Sequence, residues 1–133
     1  MNMKRKFTIV ASLVAGLFIC AAAIEPGNQT AEFKNLQVLP KDISENALQR
    51  IMEIDCNKAL GVNCDYCHVK VAGTDELDFV SDAKGEKKAA RSMMLMTMEI
   101  NKKYFRMENP VIGDSLMRIS CKSCHRGEPY PSK

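Results

Sequence analysis

The chain has 133 residues, 46% of them hydrophobic but only 6% aromatic and none of them Trp, which bounds it to one small domain. Its formal charge of +3 resides in Lys4, Arg5 and Lys6, because the remainder balances its acidic and basic side chains. With that balance nothing argues for nucleic acid, which wants a net basic face, and so short a chain buries only a modest core unaided.

Met1 to Lys6 is a short basic stretch, and Phe7 to Ile24 is an uncharged run of 18 residues. Ala21-Ala22-Ala23 offers a small-x-small cleavage site, so residues 1–23 read as a secretory signal peptide. Two other fates fit the same segment. The run just reaches the length of a membrane span and can stay as an anchor. Leu17-Phe18-Ile19-Cys20 resembles a lipoprotein box, with Ile19 bulky where a small residue is usual. All three fates carry the rest of the chain out of the cytoplasm, to a periplasmic location, with the basic stretch inside. Residues 24–33, with Pro26, Gly27 and Asn28, read as a linker, and residues 34–133 as the folded domain.

Phe33 to Pro40 reads as an extended segment packing on that domain. Asp42 or Ser44 can cap a helix, with Glu45 completing a capping box from Asp42. Leu48, Ile51, Met52, Ala59 and Leu60 fall near a helical period, which predicts a helix over 44–60. Gly61 suits its C′ position. The stretch Cys64-Asp65-Tyr66-Cys67-His68 follows directly. Val69 to Ser81 has no sustained period and reads as a loop. Ser81 or Asp82 can cap a second helix, over about 84–106. Ala89, Met93, Met96, Ile100 and Tyr104 share one face of it, and Met94, Met98 and Phe105 a second, so it should be packed on both. Pro110 and Gly113 break the chain before Cys121-Lys122-Ser123-Cys124-His125, and a turn-rich tail follows. No strand signal exceeds a few residues. The expected fold is mainly α, a repeat of two helix–turn–CxxCH units.

Cys-x-x-Cys-His is the attachment pattern of c-type haem. Two thiols, Cys64 and Cys67 or Cys121 and Cys124, add across the porphyrin vinyl groups. The next residue, His68 or His125, lies under the iron as proximal ligand. The chain has only two histidines, and each occupies this position. The expected cofactors are therefore two covalently bound c-type haems. The competing reading is a zinc module, since two Cys-x-x-Cys pairs can supply four thiolates without any His. A thioredoxin-like dithiol wants a βαβ context that the pattern lacks. Cys56, left over in the first helix, reads as a small buried apolar residue. Folding is expected to depend on haem, because a group bound by the folded state alone stabilises it.

A low-spin electron-transfer haem needs a second axial ligand, and with both histidines used the methionine thioether is the usual choice. Met52 is the sole methionine of the first helix, with a core role as its alternative. The cluster from Met93 to Met98 leaves the second distal ligand open on spacing alone. Full axial ligation means an electron carrier rather than an enzyme. An iron with an open position would mean peroxidase-like chemistry instead. The expected partners are other redox proteins, with membrane association only through the N-terminus.

The pieces Asn35-Leu36-Gln37-Val38-Leu39-Pro40, Ala59-Leu60-Gly61-Val62-Asn63-Cys64, Ala90-Arg91-Ser92-Met93-Met94-Leu95-Met96-Thr97, Ile100-Asn101 and Cys124-His125-Arg126-Gly127-Glu128-Pro129 resemble the cytochrome c subunit of photosynthetic reaction centres. More closely, they resemble its small dihaem relatives in bacteria without photosynthesis. The resemblance covers about 33–131. It implies that a methionine in each helix is the distal ligand, which carries onto Met52 for the first haem and Met93 for the second, with Met96 the runner-up. The chain departs from the reaction-centre subunit in having two haem motifs rather than four. It also has Met107 where that subunit has a histidine serving a further haem. A general periplasmic carrier fits those departures.

Overall fold

The computed structural model describes residues 33–131. The leader and most of the linker therefore lie outside the described residues. Within them the fold is mainly helical. Helix α1 spans Glu45–Arg50 and passes directly into a π-helical segment, Ile51–Lys58. Helix α2 is the short Cys64–Cys67, helix α3 is the long Gly85–Phe105, and helix α4 is Cys121–His125. A two-residue antiparallel ladder, β1 (Val69–Lys70) with β2 (Leu77–Asp78), pairs Val69 with Asp78 and Lys70 with Leu77.

The first predicted helix has its expected extent but not its expected type. Its second half is widened into π geometry, and Val62 N–H closes on the Asn57 carbonyl five residues back at 3.1 Å. Ile51 and Ala59 are buried there, and Met52 and Cys56 pack on the core beside them. Ile51 is held from the far side by Gly113, where any Cβ would press on the Ile51 side chain. The cap also differs. Ser44 immediately precedes the first helical residue and accepts from Ala47 N at 3.3 Å. Asp42 lies two residues further out and forms no capping box.

Residues 33–40 run through turns and bends rather than an extended strand. Asn35 takes a left-handed φ of 66°. Leu39 still reaches the core, which joins it to Ile51, Met94 and Ile112, with Leu36, Val38, Met52, Met98 and Met117 packed around them. So few fully buried apolar side chains make a small core for the described length.

The expected loop over 69–81 is partly a hairpin, closed by Val71 N–H on the Glu76 carbonyl at 2.8 Å. Neither Ser81 nor Asp82 caps α3, whose N-cap is Lys84 with no side-chain bond. Asp82 serves a different purpose. Its carboxylate accepts from Asn35 Nδ2 at 2.9 Å and Gln37 Nε2 at 3.2 Å. It also pairs with Arg91 at 2.9 Å and Lys87 at 3.3 Å. Lys87 is itself buried, and its ammonium donates to the carbonyls of Phe79, Val80 and Ser81 at 2.9, 3.2 and 2.7 Å. This cluster fastens the N-terminal segment and the loop after β2 onto the start of α3.

The Arg91 guanidinium, with help from Asn35 and Lys87, holds the Asp82 carboxyl well below its ordinary value of 3.8. The native pKa lies under the unfolded one, so the stabilisation is present above the ordinary value and is lost as pH falls toward the native value. Urea unfolding midpoints should therefore decline as pH drops below about 4, and Asp82→Asn should lower the neutral midpoint and flatten that decline. An Asp82→Asn profile parallel to the parent's would show that other carboxylates set the acid limb.

Candidate functional site

The two Cys-x-x-Cys-His stretches fold alike at their openings. Asn63 and Ser120 precede the first cysteine of each, both in extended conformation. In the first, Tyr66 N–H bonds the Asn63 carbonyl at 3.1 Å, and in the second, Ser123 N–H bonds the Ser120 carbonyl at 3.0 Å. Each turn sets its two cysteines one helical turn apart on a common face. In each pair one thiol is exposed (Cys64, Cys124) and one is half-buried (Cys67, Cys121), and all four are free thiols. Burial pushes the Cys67 and Cys121 thiols up from their ordinary value, which keeps them protonated at neutral pH.

The histidines differ. His125 is the last residue of α4, and its Nδ1–H faces the Glu128 carbonyl at 3.0 Å, which fixes the tautomer and leaves Nε2 as the free donor atom. His68 has already left the helix, with φ −111° and ψ 135°. Its ring lies edge-on to Phe79, with centroids 4.9 Å apart. Its Nδ1 is buried and has no hydrogen-bond partner among the described residues. Burial, followed by the positive charge of Lys87, Lys84 and Arg91, lowers the His68 pKa, so the imidazole is neutral and able to ligate.

Two contacts place the motifs. Asn101 is fully buried in α3. Its Nδ2 donates to the carbonyls of Thr97 and Ile119 at 2.9 and 2.8 Å, and its Oδ1 accepts from Arg118 and Ile119 N–H at 2.8 and 3.1 Å. That clamp fixes the approach to Cys121. Beyond the second motif, Gly127 N–H donates to the Ala59 carbonyl at 2.8 Å, just ahead of the first motif. Gly61, at φ +67°, faces the Gly127 carbonyl so closely that a Cβ could not fit.

The methionines divide. Met94 is buried and Met98 packs against the core, whereas Met93 and Met96 are each 45% exposed. The two faces expected of α3 are thus real, but among the described residues only the Met94 face is packed. Met52 is half-buried against the core beside Ile51. Met107 and Met117 are half-buried. Cys56 is also half-buried, and burial pushes its thiol up to about 12.

The donor set fits covalent haem. Each motif has two free thiols on one helical turn, followed by an imidazole with an available nitrogen, and thioethers stand on the neighbouring helices. It does not fit zinc. Among the described residues no three His, Cys, Asp or Glu side chains converge as a metal cage, so the thiols are not gathered into the tetrahedron a structural zinc requires. Sequence reasoning missed Lys87 and Phe79, and it named Asn101 and Glu128 only within the pieces that carry the resemblance, without the bonds they make.

Asn101→Ala should cost about 3 kcal/mol, since it strands buried peptide groups of residues 118 and 119. The expected readout is a lower urea midpoint at unchanged slope. A change within error would mean the approach to Cys121 is held elsewhere.

The sequence profile described as photosynthetic reaction centre cytochrome C subunit matches residues 8–133. The photosynthetic reaction center cytochrome c subunit of Roseobacter denitrificans is 31% identical over 113 residues. That alignment covers 82% of this chain but 28% of the relative, so the chain spans little more than a quarter of that protein's length. No solved structure matches.

Proposed function

This chain belongs to the photosynthetic reaction centre cytochrome c subunit family, and from that premise we propose that it is an exported dihaem c-type cytochrome that carries single electrons between redox partners. The observation that supports this most strongly is the placement of both histidines. Each follows the second cysteine of a free Cys-x-x-Cys pair set on one turn of helix. Covalent c-type haem supplies reversible one-electron iron chemistry at each motif.

In this reading the polypeptide anchors and orients. Cys64 and Cys67 hold one group, and Cys121 and Cys124 the other. His68 and His125 are the proximal ligands. The Glu128 carbonyl orients His125. Met52 and Met93 are the distal ligands, since Met93 is free of the core that holds Met94 and Met98. Met96 shares the exposure of Met93 and is the alternative for the second group. The domain works in the periplasm, reached through residues 1–23, and holds to the membrane only if that segment or Cys20 retains it. Its two motifs suit a carrier rather than a dedicated reaction-centre donor.

The intact mass of the exported protein should exceed that of the processed chain by two haems after acid–acetone extraction. A gain of none, or of one, contradicts the dihaem reading. Met52→Ala and Met93→Ala should each remove about half of the weak red charge-transfer band that reports iron–thioether bonds in the oxidised protein. Met94→Leu and Met98→Leu should leave that band intact and cost under about 1.5 kcal/mol of stability, as near-isosteric core changes. A band kept in Met93→Ala and halved in Met96→Ala moves the second ligand one turn along α3.

A further inference from the structure

The two motifs differ in the charges left free around them. Near the first, four cations are already engaged, and Lys88 is the exposed one without an ion pair among the described residues. Lys84 donates to the Asp65 carbonyl, and Lys87 is buried among three carbonyls. Arg91 pairs with Asp82, and Lys70 pairs with Asp75 at 2.7 Å. Asp65 and Glu86 remain exposed there.

Around the second motif the opposite holds. Arg118, Lys122 and Arg126 recur four residues apart along the motif, with no acid between them. All three are exposed, and none forms an ion pair among the described residues. Backbone contacts bring two more exposed cations to this place. Lys102 follows Asn101, which accepts from Arg118 N–H. Lys58 precedes Ala59, whose carbonyl holds Gly127, the residue after Arg126. The acids on the same segments are Asp55, half-buried, and Glu53, Glu99, Glu108, Asp114 and Glu128, exposed, with Glu53 accepting from Gln49 Nε2 at 2.9 Å. Asp114 is occupied in capping Leu116 N–H at 2.8 Å.

We propose that the second-motif region, with the exposed cations Arg118, Lys122 and Arg126 along it and Lys58 and Lys102 on the segments bonded to it, is the docking surface for a redox protein that presents carboxylates. The inference rests on the electron-carrier reading above and adds which end of the molecule receives which kind of partner. Exposed, unpaired like charges around one site are the arrangement that steers an oppositely charged protein and fixes its orientation. They add little to stability.

The test uses the oxidised, haem-loaded full chain and reduced flavodoxin, an acidic one-electron donor, as probe. Stopped-flow reduction rates are measured across ionic strength. The parent rate should fall steeply as salt rises. Lys122→Glu with Arg126→Glu should lower the low-salt rate about tenfold or more and flatten the salt dependence. Lys122→Arg with Arg126→Lys should retain the parent behaviour. Lys58→Glu with Lys102→Glu probes the same region from outside the motif, and stands in if the motif variant loses haem. Lys88→Glu, on the other end, should change the rate less than about twofold. An equal loss in Lys88→Glu, or a parent rate indifferent to salt, overturns the proposal. Haem absorption per chain and reduction by dithionite report the carrier reading separately, so the two failures are distinguishable.

Discussion

The hydrogen bond from Gly127 N–H to the Ala59 carbonyl, 2.8 Å long, is the contact on which the arrangement of the two motifs depends. Ala59 closes the first long helix, where carbonyls run out of intrahelical partners. Its carbonyl is satisfied not by the next turn but by the backbone just past the second motif. Gly61 makes this approach possible. Its left-handed φ turns the chain away from the helix, and its missing Cβ leaves room for the Gly127 carbonyl. With Asn101 clamping the near side of the second motif, that motif is tied at both ends to the elements around the first.

A second constraint is electrostatic and concerns the first motif. Lys87 is a buried charge, which is costly unless fully bonded and paired. Its three carbonyl acceptors and Asp82 meet that requirement, and they hold the loop that places Phe79 against His68. The two motif histidines, His68 and His125, are therefore supported by different means. One is held by packing within a cationic surround, the other by a backbone carbonyl. A polar acceptor on Nδ1 fixes the orientation and tautomer of the ring, and of the two histidines only His125 has one among the described residues, so the two environments differ even though their sequences repeat.

What the sequence made legible follows the range of the forces involved. The Cys-x-x-Cys-His turns, the extent of both long helices, and the separation of Met93 and Met96 from Met94 and Met98 all depend on spacing within a few residues, and a periodic pattern records them. The π geometry of Ile51–Lys58 was not legible, because apolar spacing near a helical period does not mark where a helix widens. Asp82 reads as a cap because the type of residue is right and its position nearly so. It pairs instead with Arg91 and Lys87 on α3, and its other two partners, Asn35 and Gln37, lie more than forty residues away. Glu128 contributes through a backbone carbonyl, and no side-chain pattern announces that. Family resemblance singles out Met52 and Met93 as candidate distal ligands, where spacing alone leaves alternatives.

The central claim is that both motifs form complete, six-coordinate redox centres in one chain. Low-temperature electron paramagnetic resonance of the fully oxidised, exported protein tests it most directly. The account predicts two distinct low-spin ferric signals that integrate to two spins per chain, unchanged by cyanide at low concentration. A high-spin signal of comparable intensity, converting to low spin on adding cyanide, would mean an open iron position and would contradict the electron-carrier account.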